Sequence, residues 1–163
     1  MIIVYFTFLA FLLPTFNTRP TVNLNLSLND EDRPLTLAFG SCYRILDLKN
    51  NIFDVIGQNR PHLWTWMGDA AYTDNVLKAQ WVTDNSMDLA YIKSRFDLTR
   101  DDPVYARFAN KTPLIGVWDD HDIGCNNADK TFSKKNDVRD MFLDFIGEPE
   151  GTARRTEKDT GVY

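Results

Sequence analysis

The chain has 163 residues, which is enough for one domain with a hydrophobic core. Hydrophobic residues make up 44% and charged residues 25% of the sequence, as in ordinary globular proteins, so the composition argues against an intrinsically disordered chain. The net charge of −5 argues against a general affinity for nucleic acid and is compatible with cation binding, although it does not require it.

The chain begins with an almost unbroken apolar segment, Ile2 to Leu13, that ends at Pro14. This segment is shorter than the roughly 20 apolar residues that span a bilayer, and it has the length of the hydrophobic part of a secretory signal peptide. No Lys or Arg precedes it, and no small-x-small cleavage motif follows it. We predict that residues 1–18 form a signal peptide or a short hydrophobic anchor. A buried strand or helix at the start of the domain is the alternative.

Secretion would place the chain in an oxidising compartment. Asn25-Leu26-Ser27 and Asn110-Lys111-Thr112 would then be N-glycosylation triplets. The two cysteines, Cys42 and Cys125, are an even pair that would be able to form a disulfide. Each cysteine also lies at the end of a separate motif, which favours a metal site instead, and the sequence leaves both alternatives open.

After the leader, residues 19–34 are polar and are predicted to be a connector, although Val22 to Leu26 alternates like a short edge strand. From Leu35 onwards, apolar runs typical of buried strands alternate with segments of helical spacing. The predicted strands are 35–39, 63–67 and 113–118, and the predicted helices are 52–57, 86–98 with Ser86 as its cap, and 136–146. This alternation predicts an α/β domain over 35–163.

Each predicted strand ends in a group of polar residues. The three groups are Gly40-Ser41-Cys42, Gly68-Asp69-Ala70-Ala71-Tyr72 and Asp119-Asp120-His121-Asp122. Sites in open α/β sheets form at the carboxyl ends of the strands, so we expect the three groups to converge although they are distant in sequence.

The first two groups contain potential metal ligands. A thiolate at Cys42 would be a soft ligand, while the alternative is a small buried apolar side chain. Asp69 has two oxygens that would be able to bridge two cations, and a Tyr72 phenolate would suit ferric iron. The alternative for this second group is a Gly-Asp turn followed by a packing tyrosine.

The third group is the densest in charge, with three carboxylates and an imidazole in four residues. These carboxylates would repel one another unless something neutralised them. Because the group follows a predicted buried strand, a bound cation is the simplest explanation of such density. A solvated acidic turn with a capping aspartate is the alternative.

The motifs together resemble the PhoD-like (alkaline phosphatase D) metallophosphatase family. The resemblance rests on Leu37-Ala38-Phe39-Gly40-Ser41-Cys42, on Trp66-Met67-Gly68-Asp69-Ala70-Ala71-Tyr72, and on Val117-Trp118-Asp119-Asp120-His121-Asp122 with Asn126-Asn127, in this order. The later segments Phe142-Leu143-Asp144-Phe145-Ile146-Gly147, Arg154-Arg155 and Gly161-Val162-Tyr163 are also similar to that family, so that the resemblance covers about 35–163.

The resemblance implies a metallophosphatase-like sandwich of β-sheets flanked by helices. It also implies that Cys42 and Tyr72 bind Fe³⁺ and that Asp69 bridges to a second divalent metal, calcium in the best-known members. By likeness to the Asn-His-Glu segment of metallophosphatases, Asp120 would bind the second metal and His121 would be a phosphate-facing catalytic group.

A basic segment before the third motif also looks like the family's. By that likeness Arg95 or Arg100 would contact phosphate in bidentate fashion, and a surface salt bridge is the alternative for either arginine. We further expect Cys42 to be a free thiol that is available to metal.

The family takes further Asp and His ligands from a C-terminal half, whereas this chain stops at Tyr163. The resemblance therefore implies the N-terminal portion of the domain, truncated and with little activity of its own. We expect a secreted enzyme that hydrolyses a small phosphate ester, monoester or diester, with no nucleic-acid module and no stable membrane span. The rivals are a different binuclear metallohydrolase, which would give Cys42 and Tyr72 no role, and a non-catalytic secreted binding protein on a degenerate metallophosphatase scaffold.

Overall fold

The structure, a computed structural model, describes residues 3–8, 34–45, 51–74, 88–157 and 161, with the backbone alone for 3–8. The strands in these ranges are β1 (Ile3–Phe8), β2 (Leu35–Gly40), β3 (Leu63–Met67) and β4 (Leu114–Val117). The helices are α1 (Ile52–Gln58), α2 (Leu89–Arg100), α3 (Pro103–Ala109), α4 (Asp120–Ile123), α5 (Lys135–Phe145) and α6 (Ala153–Thr156). None of the described helices is long and apolar enough to cross a membrane.

The strands form one sheet in the order β1-β2-β3-β4, in which β2, β3 and β4 are parallel and β1 is antiparallel to β2. The alternation of strands and helices confirms the predicted α/β class. The described residues form this single sheet, so the sandwich implied by the resemblance stays a prediction.

The first residues of the chain form a β-strand, which the sequence analysis gave as the alternative to a signal peptide. Ile3 pairs with Gly40 and Phe8 with Leu35, so the segment is a strand of the sheet. Cleavage of residues 1–18 in the secretory pathway stays a prediction. Asn110 is an exposed residue at the end of α3. The triplet at Asn25 and the strand predicted at 22–26 lie outside the described residues.

The two faces of the sheet differ in their environment. Trp64 and Trp66 of β3 are fully buried on the face that packs against the helices. Side chains alternate between the faces of a strand, and on the opposite face Met67, Ile115 and Val117 are exposed. The helices therefore cover one face of the sheet, and their packing fixes the strands whose carboxyl ends carry the polar groups.

An aromatic cluster holds the helices on this face. The Phe53 ring of α1 lies 5.7 Å from the Trp64 ring, and the Tyr105 ring of α3 stacks on Phe145 of α5 at 5.6 Å. Trp66 Nε1 donates a hydrogen bond to the Tyr105 hydroxyl at 3.2 Å, which satisfies the indole N–H in the core.

The glycine in the middle of β4 allows this tryptophan to pack closely. Gly116 pairs with Trp66 across the sheet, and a Cβ at Gly116 would lie 2.5 Å from Trp66 Cβ. A side chain there would have to displace the centre of the core.

Two helix predictions need correction. The prediction that Ser86 caps α2 is wrong, because the carboxylate of Asp88 accepts a hydrogen bond from Ala90 N at 2.9 Å and α2 begins at Leu89. Helix α3 was missed. Asp102 accepts hydrogen bonds from the second and third backbone N–H groups after it, and Pro103 occupies the first helical position. An Asp-Pro pair is a known start signal for a helix.

We expect Gly116→Ala to lower the free energy of unfolding by about 1–3 kcal/mol or more, because the new methyl group overpacks the contact with Trp66. Denaturant unfolding of the purified chain measures it. Gly57→Ala is the matched control, since its nearest neighbour would be Phe108 Cδ2 at 3.7 Å, an ordinary contact, and alanine favours the helix by about 0.5–1 kcal/mol. Equal stability of Gly116→Ala and the wild type would contradict the packing argument.

Candidate metal centre

The three polar groups meet at the carboxyl end of the parallel strands. Cys42 N donates to Gly68 O at 3.4 Å, and Tyr43 N donates to Asp69 O at 2.9 Å, so the loop after β2 is attached to the loop after β3. Thr73 N donates to His121 O at 2.9 Å, which attaches the loop after β3 to α4. Parallel strand direction thus places groups far apart in sequence at one edge.

Asp69 lies at the centre of this arrangement and is 7% exposed. The Cys42 thiol lies 3.6 Å from Asp69 Oδ2, and the Tyr72 hydroxyl donates to the same oxygen at 3.1 Å. The other oxygen, Asp69 Oδ1, is buried and has no hydrogen-bond partner. Because an unsatisfied buried carboxylate oxygen is costly, this atom is in a suitable environment for a cation.

A second set of potential ligand atoms includes the same carboxylate. One atom each from Asp69, Asp120 and His121 lie within 4.8 Å of one another, close enough to share one metal ion. Asp69 therefore belongs both to a group with Cys42 and Tyr72 and to a group with Asp120 and His121.

Burial makes the anionic forms of these side chains costly. It is the largest cause that raises the pKa of the Asp69 carboxyl, against the opposing positive charge of His121. Burial, followed by the charge of Asp69, raises the pKa of the Tyr72 phenol. Since a bound cation favours the deprotonated forms of its ligands, the donor set fits a metal.

The backbone at two of these positions adopts a conformation that side-chain-bearing residues rarely take. Cys42 has φ 59° and Asp69 has φ 52°, both in the left-handed region. Such backbone strain occurs often at functional sites. Gly68, before Asp69, has φ 88°, and a Cβ there would lie 2.6 Å from Asp119 Cβ. Only glycine lets the loops after β3 and β4 approach this closely.

Two carboxylates of the acidic segment have a structural role. Asp119 and Asp122 form a reciprocal capping box at the start of α4. Asp122 is completely buried, and its carboxylate accepts from Ala71 N at 2.8 Å and from Asp119 N at 3.1 Å. The expectation that a cation explains the whole acidic segment therefore needs correction, because backbone N–H groups hold Asp122 while Asp120 lies beside Asp69.

An aspartate that the sequence analysis did not identify orients His121. Asp74 Oδ2 lies 2.7 Å from His121 Nδ1, and Asp74 is 7% exposed. The Tyr72 ring packs on the His121 ring with centroids 4.5 Å apart. Asp74 follows Asp69 by five residues. The sequence feature that could have identified it is therefore a second carboxylate close after Asp69.

The remaining predicted residues lie in different environments. Arg95 Nε donates to Tyr72 O at 3.2 Å, which places this arginine against the loop of the site. Arg100 forms surface salt bridges with Asp97 and Asp101, the alternative that the sequence left open for it. Cys42 and Cys125 are not joined by a disulfide.

Asp122 makes the stability of the metal-free protein depend on pH. Burial raises the pKa of this carboxyl from 3.8 to about 7. The folded state therefore holds a proton that the unfolded state has lost, and this stabilisation is present below about pH 4 and disappears as the pH rises to about 7. The resulting decrease in the free energy of unfolding is at most about 4 kcal/mol.

We expect the free energy of unfolding of the wild type to fall more between pH 4 and pH 7 than that of Asp122→Asn, which cannot titrate there. The variant should be less stable overall, because its amide N–H₂ would face a backbone donor. Denaturant titrations with a chelator measure both slopes, and Asp54→Asn, an exposed carboxylate paired with Arg107, is the control. Parallel slopes for the wild type and Asp122→Asn would contradict the assignment.

The chain was compared with families, curated proteins and solved structures. The family model for PhoD-like phosphatases matches residues 37–147, a segment that contains every candidate ligand from Cys42 to His121. No curated protein and no solved structure matches the chain at a significant level. Family membership indicates a phosphatase-type hydrolase. Because the match covers more than half of the sequence, the chain belongs to the PhoD-like phosphatase family.

Proposed function

We propose that the protein is a metal-dependent phosphate ester hydrolase in which Asp69 bridges two cations. The position of the Asp69 carboxylate carries this proposal. One of its oxygens lies beside Cys42 and Tyr72, its other oxygen is buried without a partner, and a carboxylate oxygen of Asp120 lies within 4.8 Å of a carboxylate oxygen of Asp69.

The two donor groups differ in chemistry, which supports two different ions. Thiolate and phenolate at Cys42 and Tyr72 are anionic donors suited to Fe³⁺, whereas the carboxylates of Asp69 and Asp120 suit a hard divalent cation such as Ca²⁺. When bound, such ions neutralise the phosphoryl oxygens and lower the pKa of a water molecule.

The protein itself supplies a proton-transfer group. The Asp74 carboxylate accepts from Nδ1–H of His121, which stabilises one tautomer and fixes the ring orientation. Nε2 is then the nitrogen through which His121 donates a hydrogen bond or a proton to the leaving oxygen of the ester. The packing of the Tyr72 ring on the His121 ring also limits rotation of the imidazole.

We also propose that the substrate is a small phosphate ester, that Arg95 lies close enough to the site to take part in binding it, and that the enzyme is secreted. Assays use the protein translated from the complete transcript beside the 163-residue chain.

The first test separates the two metal groups. Asp69→Ala should lose both metals and nearly all hydrolysis of a chromogenic phosphate ester, because it removes the shared ligand. Tyr72→Phe should lose the visible iron–phenolate absorption and bind iron more weakly, and should keep part of the second metal. Elemental analysis, absorption spectra and rates are the measurements.

Asp54→Ala is the matched control for this series, since it removes an exposed carboxylate far from the site. It should keep both metals and the wild-type rate. Full metal content and rate in Asp69→Ala would show that the site is placed wrongly.

The second test concerns the histidine and its aspartate. His121→Ala should lower kcat by about a hundredfold or more, the usual scale for one acid–base group, and should retain metal. Asp74→Asn should lower kcat by about 10- to 100-fold and leave KM nearly unchanged, because the His121 ring loses the carboxylate that orients it. A wild-type kcat in Asp74→Asn, or loss of both metals in His121→Ala, would contradict these roles.

A further inference from the structure

A second arginine contacts the ring system of the candidate metal centre. The guanidinium carbon of Arg44 lies 4.7 Å from the centroid of the Tyr72 ring, within the range of a cation–π contact. The same ring packs on His121 at 4.5 Å. Tyr72 thus contacts both the proposed proton donor and a permanently charged side chain.

The backbone at Arg44 is fixed relative to Asp69. The preceding residue, Tyr43, is only 2% exposed, and its backbone N–H donates to Asp69 O at 2.9 Å. Its ring packs against Phe53 at 5.0 Å and against Trp66 at 6.2 Å. A side chain that follows such an anchor starts from a rigid position, as binding residues require.

The charge of Arg44 adds to the positive charge available for a phosphate. The carboxylates of Asp69, Asp74 and Asp120 lie together at one strand edge, and a permanent cation beside them offsets part of the negative charge that a phosphate anion meets. Arginine stays charged at every relevant pH, and its planar donors match two phosphate oxygens at once.

The other arginines near this edge make different contacts. Arg95 donates its Nε to the Tyr72 carbonyl at 3.2 Å, so this part of its guanidinium contacts the loop backbone. Arg100 pairs with Asp97 and Asp101 on the outer surface of α2. Arg44 is the arginine that stacks on a side chain of the metal centre itself.

We propose that Arg44 is the substrate-anchoring residue, which binds non-bridging oxygens of the phosphoryl group while Tyr72 supports its guanidinium plane. This proposal rests on the proposed function, since it names the residue that holds the substrate of that same site. It predicts that inorganic phosphate, the product anion, uses the same contact.

The test compares Arg44→Ala, Arg44→Lys and the surface control Arg107→Ala in metal-loaded protein from the complete transcript. Arg44→Ala should raise the Kd for inorganic phosphate and the KM for the chromogenic ester by about 10- to 100-fold, because a charged hydrogen-bond partner is lost. Its kcat should fall less than its kcat/KM. Arg44→Lys should recover only part of the affinity, since it keeps the charge and loses the bidentate geometry.

Metal content and calorimetric binding of inorganic phosphate separate the possible failures. Wild-type metal content and phosphate affinity in both Arg44 variants would overturn the role of Arg44 and leave the hydrolase intact. A wild-type protein that binds neither metal nor phosphate would overturn the proposed function and the anchoring role together. Loss of phosphate affinity with metal retained, against an unchanged Arg107→Ala, would support the anchor.

Discussion

The buried carboxylate of Asp122 is the interaction on which the site depends. Its two oxygens accept backbone hydrogen bonds from the loop after β3 and from the loop after β4, so one side chain sets the distance between them. Asp69 belongs to the first loop, and Asp120 and His121 open helix α4, which directly follows the second loop. Because Asp122 is completely buried, water cannot replace these bonds, and any change in this side chain moves the two ligand groups relative to each other.

The site follows from the fold through close contacts as well as hydrogen bonds. Gly116 lets Trp66 pack against β4, and Gly68 lets the chain turn beside Asp119 at the ends of the same two strands. The aromatic core and Gly116 thus determine how closely β3 and β4 pack, and Gly68 determines how closely the loops after these strands approach each other. Rigid packing is how a sheet can hold several carboxylates together, since loops in water would move apart to relieve their repulsion.

The sequence predicted the parts of this structure that depend on local pattern. Apolar runs ending in glycine or polar groups gave β2, β3 and β4 within two residues, and the spacing of Val138, Met141 and Phe142 gave α5. The start of α2 and the existence of α3 were missed because capping depends on which polar side chain reaches the backbone. Asp119 and Asp122 were grouped with Asp120 because aspartate serves equally as a cap and as a ligand. Asp74 was missed because its partner lies 47 residues away.

The candidate site combines several features that are unfavourable without a cation and that a bound cation would relieve together. Asp69 Oδ1 is buried without a partner, Cys42 and Asp69 have left-handed backbones, and the carboxyl of Asp69 and the phenol of Tyr72 both have raised pKa values. Each feature costs stability in the absence of metal, on the order of 1–3 kcal/mol for a strained residue or an unsatisfied polar atom. The occurrence of these costs together at one strand edge supports the proposed metal site, since packing alone would favour an ordinary turn. Arg44 stacks on the Tyr72 ring at the same strand edge, where the negative ring face attracts its guanidinium and the nearby carboxylate of Asp69 favours a positive charge.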